Sequence, residues 1–402
     1  MSRRLHLVPL ALLVLVLGVA VWGGVQASRA AGPSAGPSLS DASYRERPQR
    51  DTQIAVWQTA LDADPSSAIA LGMLSALHLQ RAREGGGWSD YLAAETLARR
   101  SLTERSHRNG ATAATLIAVL SAQHRFAEAV QVATALVVRE PDVLEYRAIL
   151  GEVAMESGDY ATAEREFAAV WPLRTSLSVA PRLARWHELK GEVAESRRLL
   201  ERARDEARDR RDVSIEVKAW FALRLGEFER RAERPRRAAV AFTEGLEIEP
   251  NDPRLLAAMA RLAADRQDAD GVITWGERAL AQQLDPEMIL LLADAHAMLG
   301  DIDQARRLRS AFDVAVSATE GPFHRTWSLA LLDRGERVEE VLARAQAELR
   351  DRTDIYAYDL VAWALYKSGR TAEAERMMRA ALQLGTQDPL LERHRAAITA
   401  GN

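Results

Sequence analysis

An all-α solenoid of antiparallel helix pairs is predicted by three observations. A residue pattern returns about every 34 positions, apolar residues recur at three- and four-residue spacing, and small residues stand where paired helices must touch. The segment Leu150-Gly151, Gly158-Asp159-Tyr160, Ala163, Phe167 returns as Leu225-Gly226, Ala238, Phe242, Pro250. It returns again as Ala293, Gly300-Asp301, Ala305, and as Ala362, Gly369-Arg370, Ala374, Ala381. A unit of two helices cannot bury its apolar faces alone, so neighbouring units must stack into one continuous core.

The chain opens with Arg3 and Arg4, followed by an uncharged, mostly apolar run of 19 residues from Leu7 to Val25 and then by small residues. Residues 1–30 therefore read as a secretory signal peptide cleaved near Ala27, or as an N-terminal membrane anchor that is kept. In either case the two arginines stay inside, so the body is expected outside the cytoplasm: periplasmic, secreted or membrane-anchored. Membrane contact is expected only through residues 5–25, and only if they are uncleaved. Residues 31–50, AGPSAGPSLSDASYRERPQR, read as a flexible Gly/Pro/Ser-rich linker. The solenoid is expected over residues 51–387. Residues 388–402 then form a capping helix with Leu390, Leu391 and Ile398 facing inward.

The turn inside each helix pair serves as a ruler. It falls near Gly86, His124, Gly158, Gly191, Glu233, Gln267, Gly300, Gly335 and Gly369, with gaps from His124 of 34, 33, 42, 34, 33, 35 and 34. The long gap covers the charged stretch Glu201 to Val217, read as an extended helix followed by a short loop. Ala129, Ala163, Ser196, Ala238, Ala305 and Ala374 fill the helix crossing, where a larger side chain would overpack. Phe167 and Phe242 fill the space beside it. Pro141 and Pro250 stand at unit ends, where a missing N–H stops a helix.

Composition excludes more than it assigns. With no cysteine there is no disulfide, thiolate nucleophile or Cys-ligated metal. The net charge of −4 gives no global reason to expect nucleic acid as a partner. Lysine occurs only at 190, 218 and 367, so 50 of the 53 basic residues are arginine. Among the eight histidines no pair stands at the spacing of a helical zinc site. Gly85-Gly86-Gly87 lacks the Lys-Ser/Thr of a phosphate loop, and no Gly-x-Ser-x-Gly elbow occurs. No enzyme activity, cofactor or metal is expected.

These repeats resemble those of tetratricopeptide repeat (TPR) proteins over residues 70–387, most of all exported bacterial members. The last unit, from Ala357 to Thr386, carries the resemblance most fully. It implies a right-handed superhelix of about 8–9 repeats whose concave groove, lined by each first helix, binds a peptide or partner protein. The early aromatic of the family repeat is mostly missing, and His124, Glu233 and Gln267 replace its turn glycine. Chaperone-tail-binding members hold acidic C-termini with groove Asn and Lys residues, and here none of the asparagines, Asn109, Asn251 and Asn402, reads as lying inside a first helix, so that role is not expected. Any four-Cys metal module is absent.

The inward positions of the first helices are expected to be Glu152, Arg185, Trp220, Glu227, Arg230, Arg261, Asp294, Tyr356, Trp363 and Tyr366. Aromatic and Arg residues are the usual interface anchors. The expected function is a non-enzymatic interaction scaffold for a protein or peptide partner, such as a component of an envelope complex. The alternative is a glycan- or lipid-binding protein using the aromatic C-terminal groove.

Overall fold

The computed structural model describes residues 39–84, 87–318 and 325–400, with side chains from Gln49 onward apart from 317 and 318. Among the described residues there are twenty α-helices and no strand. A first helix, α1 (Leu39–Ala63), precedes the pairs α2 (Ala68–Arg83) with α3 (Trp88–Glu104), and α4 (Gly110–Ala122) with α5 (Phe126–Arg139). Next come α6 (Leu144–Ser157) with α7 (Tyr160–Val170), α8 (Ala180–Leu189) with α9 (Val193–Asp209), and α10 (Ile215–Arg231) with α11 (Pro235–Ile248). The array continues as α12 (Pro253–Ala264) with α13 (Ala269–Gln282), and α14 (Pro286–Met298) with α15 (Ile302–Ala318). It ends with α16 (Arg325–Arg334) and α17 (Val338–Glu348), α18 (Ile355–Lys367) and α19 (Thr371–Ala381), and the terminal α20 (Pro389–Ala400).

Nine helix pairs thus lie between α1 and α20. One boundary differs from the sequence reading. Helix α1 begins at Leu39, inside the segment assigned to a flexible linker. The Gly-Pro-Ser repeat ends at Ser38, and the helix beyond it forms despite Pro48 in its interior. The expected signal or anchor segment, residues 1–30, lies outside the described residues, as does the turn residue Gly86.

The recurring small residues explain the pairing. Ala129, Ala163, Ser196, Ala238 and Ala374 are fully buried at the crossings. In two repeats a glycine on the first helix lets a phenylalanine of the second lie flat against its backbone. A Cβ on Gly226 would come within 2.3 Å of the Phe242 ring, and one on Gly151 within 3.0 Å of Phe167. Both rings are buried. The turns obey a backbone rule as well. Gly158, Gly191, Gly300, Gly335 and Gly369 have positive φ, and so do His124 (58°), Glu233 (54°) and Gln267 (58°). A non-glycine residue there accepts left-handed strain to close the same turn.

The solenoid closes on itself about six repeats along. The Thr353 amide donates to the Ser157 carbonyl at 2.8 Å, and the Ile355 amide donates to the Tyr160 hydroxyl at 2.8 Å. The Thr386 hydroxyl reaches the Leu189 carbonyl, and His124 pairs with Glu348 at 3.0 Å. The turns of α4–α5, α6–α7 and α8–α9 therefore carry the loops that flank α18 and α20. At the other end α1 touches α10 and α11. The concave face becomes an enclosed channel.

Helix α20 covers the last pair as a cap. Leu391 and Ile398 are buried, and His394 pairs with the fully buried Asp359 at 2.7 Å. The Trp363 ring stacks on His394 at 4.2 Å, and its indole N–H donates to Asp333 at 2.9 Å.

Candidate functional site

Six successive first helices present one face each to the channel and enclose a cavity of about 580 Å³. Its apolar wall is Ala114, Ile117 and Ala118 of α4, Ile149 and Val153 of α6, Pro181 of α8, and Val217 with Trp220 of α10. Its polar wall is mostly guanidinium: Arg83 of α2, Arg182 and Arg185 of α8, Arg224 and Arg231 of α10, and Arg254 of α12. Three carboxylates face the same space, Glu152, Glu156 and Glu216. The spacing Trp220, Arg224, Glu227, Arg231 is 4, 3, 4, which puts all four on one side of α10.

The arginines are held from behind. Arg182 donates to Glu152 at 2.8 Å, and Arg254 bonds Glu216 at 3.0 Å as well as Asp252. Glu188 receives both Arg185 (2.8 Å) and Arg231 (2.7 Å). Arg224 pairs with Glu227 at 3.2 Å, and Arg231 lies 3.9 Å from the same carboxylate. Burial alone would push the Glu188 carboxyl up, but Arg185 and Arg231 outweigh it and hold it down at about 2. The proton affinity of Arg224 is lowered by burial and by Arg231 and Arg185 beside it. A guanidinium keeps its charge regardless, so the meaning is a poorly compensated cation.

Two groups stand apart from this pairing. Arg83, an exposed residue on the cavity wall, has no carboxylate at ion-pair distance and feels Glu216 and Arg254 with opposite signs. Glu156 likewise lacks a salt bridge, and burial raises its pKa against the pull of Arg185. At the closure, the Tyr356 ring lies between Arg185 (5.2 Å) and Arg325 (4.9 Å), with its hydroxyl 3.2 Å from Asp388. Each guanidinium lies within cation–π range of that ring.

The ten residues expected in the groove fall in different places. Glu152, Arg185 and Trp220 line the cavity, while Glu227 and Tyr356 stand directly behind that wall. Arg230 is corrected: it pairs with Asp265 at 2.8 Å, away from the cavity, because one residue on a helix is a 100° turn and Arg231 takes the inward position. Arg261 and Asp294 belong to later first helices and are closed in ion pairs outside the cavity. Arg261 bonds Glu287 at 2.7 Å, and Asp294 pairs with Arg334.

Trp363 is also corrected. It is 8% exposed beneath the cap, and Tyr366 stacks on it at 5.2 Å, so this pair forms part of the C-terminal core rather than an aromatic groove. The sequence reading missed Arg83, Arg182, Arg224, Arg231 and Arg254. The helical spacing from Trp220 was a usable signal for Arg224 and Arg231. Nothing local marks Arg83, whose place depends on the superhelical winding.

Among the described residues no histidine lines the cavity. His78 pairs with Asp90, His124 with Glu348, His187 with Glu192, His296 with Asp301 and His394 with Asp359. Among the described residues no group of three or more His, Asp or Glu is placed to hold a metal. No helix among them is long and apolar enough to cross a membrane.

No protein-family model matches the chain, and no curated protein matches it. Solved structures do. Human IFIT1, as a dimer with PPP-AAAA, superposes with a TM-score of 0.51 at 14% identity, covering 79% of this chain and 73% of that one. The IFIT1 dimer with m7Gppp-AAAA gives 0.51 at 13%, covering 79% and 72%. A tetratricopeptide repeat protein from Parabacteroides merdae gives 0.45 at 14%, covering 64% of this chain and 97% of that one. At these identities the likeness shows the fold alone. With the helix pairs and their turn geometry, the superposition on IFIT1 shows an all-α solenoid of stacked antiparallel helix pairs.

Proposed function

We propose that this chain is a non-enzymatic binding protein whose enclosed concave channel holds an extended segment of a protein partner. One observation carries the reading. A cavity of about 580 Å³ is lined by six consecutive first helices and combines an apolar wall with charged hydrogen-bonding groups. Ligand sites have this size and this mixture. Five histidines, His78, His124, His187, His296 and His394, each pair with a carboxylate and none of them lines the cavity, which supports a binding role over catalysis. On the sequence alone, Arg3, Arg4 and the apolar run after them support a body located outside the cytoplasm, tethered or released.

For the small-ligand alternative, Trp363 is buried beneath the cap while Tyr356 and Tyr366 stay half-buried, which favours the channel reading. Ala118→Trp tests the proposal, because it fills the cavity from a half-buried wall position. A partner cross-linked to the full-length wild type in native membranes should be lost with the variant at unchanged melting temperature. Equal recovery would place binding elsewhere on the superhelix.

A further inference from the structure

The charges around the cavity balance in number but not in place. Six guanidiniums and three carboxylates line it, and Glu188, Glu227 and Asp252 stand behind the wall. Glu188 and Glu227 are shared by three arginines, Arg185, Arg224 and Arg231, whose side chains keep 18%, 27% and 26% exposure. At that end of the lumen three guanidiniums therefore share two paired carboxylates, with Glu156 near Arg185 but in no salt bridge. Arg83 adds a guanidinium without a salt bridge, beside Glu216 and Arg254. Whether half-buried, as in this cluster, or exposed on the cavity wall, as Arg83 is, a guanidinium short of counter-charge gains a charge-assisted, often bidentate bond from a ligand carboxylate.

We propose, on the reading of the channel as a peptide site, that its ligand is an acidic peptide segment. Its carboxylates are gripped by Arg83 at one end and by the Arg185–Arg224–Arg231 cluster at the other. The lumen carboxylates fit this occupant. Glu152, Glu156 and Glu216 are acceptors for the backbone N–H groups of an extended chain, and the apolar wall takes the side chains between its acidic residues. An oligonucleotide fits less well. A charge on every phosphate would face those three carboxylates. The wall carries one large aromatic, Trp220, with the Arg224 guanidinium 6.0 Å from its ring centre, so successive bases would find at most a single platform.

The test is fluorescence anisotropy on the full chain with three labelled decamers, of alternating Glu-Ala, Lys-Ala and Gly-Ser sequence. The Glu-Ala decamer should bind at least about tenfold tighter than Gly-Ser, the scale of one charge-assisted pair. Arg83→Ala and Arg224→Ala should each weaken it by about tenfold, with Arg376→Ala on the outer surface as the unaffected control. Arg83→Ala removes no salt bridge and should fold as the wild type does. Equal binding of Gly-Ser, or tighter binding of Lys-Ala, would overturn the acidic preference and leave the peptide site standing. Binding of none of the decamers would overturn the peptide reading itself and the inference with it. Displacement of Glu-Ala by inorganic pyrophosphate or a single-stranded RNA at lower concentration would overturn the inference in favour of a phosphate ligand.

Discussion

Replacing Gly158 by alanine separates the closure of the superhelix from the turn that supports it. Gly158 has φ of +90°, and an added Cβ would lie 2.4 Å from the Thr353 carbonyl carbon, which is backbone and cannot rotate away. Gly369 has φ of +80° with nothing within 4 Å, so Gly369→Ala pays only the left-handed strain, about 1 kcal/mol. Gly158→Ala carries that strain and in addition must push the second superhelical turn off the first. The contacts then at risk are the two 2.8 Å bonds from the Thr353 and Ile355 amides. At about 0.5–1.5 kcal/mol each, they put the difference between the variants at about 1–3 kcal/mol.

Urea denaturation of both variants measures that difference, and amide exchange locates it. Thr353 and Ile355 should lose protection in Gly158→Ala and keep it in Gly369→Ala. Equal midpoints, with Thr353 still protected in both, would refute the idea that this contact holds the channel closed.

Four further outcomes follow from the same contacts. Gly226→Ala should destabilise by about 1–3 kcal/mol in chemical denaturation, because the new methyl meets the buried Phe242 ring. Ser196→Ala should be neutral or stabilise by up to about 1–2 kcal/mol, since its fully buried hydroxyl has no partner where other repeats carry alanine. His394→Ala should cost about 1–3 kcal/mol and red-shift tryptophan emission, by removing one of the two partners of the buried Asp359, which keeps Arg325, and by uncovering Trp363. Glu188 has a folded pKa of about 2, below its ordinary 4.5, so its stabilisation is present above pH 4.5 and lost as pH falls toward 2. Stability profiles of wild type and Glu188→Gln should therefore converge on acidification through that window.

How far the sequence reaches is visible at individual residues. His124, Glu233 and Gln267 were placed at turns by counting alone, and their positive φ values show why the count works. A 34-residue period forces a chain reversal at that point whichever residue occupies it. The crossing residues Ala163 and Ala238, and the rings of Phe167 and Phe242, were legible for a similar reason. They answer to helix geometry within one repeat, and helix geometry is periodic in sequence.

The site was only half legible. Glu152, Arg185 and Trp220 were found from repeat register, whereas Arg230 was chosen one position from the inward Arg231. On an arginine-rich helix the residue types cannot mark the face, so a 100° error passes unnoticed. Trp363 was read as groove because its position is inward in the repeat, and only the docking of α20 turns that position into core.

The sequence by itself determined the helix pairs, their turns and the stacking surfaces, because each depends on residues three to about forty positions apart. Tertiary structure decided the closure of the solenoid and with it the cavity. Ser157 meets Thr353, and Arg83 meets the environment of Glu216, through the summed small rotations of successive repeats. No local spacing encodes that sum, so which charges face each other across the channel is fixed only when the superhelix is complete.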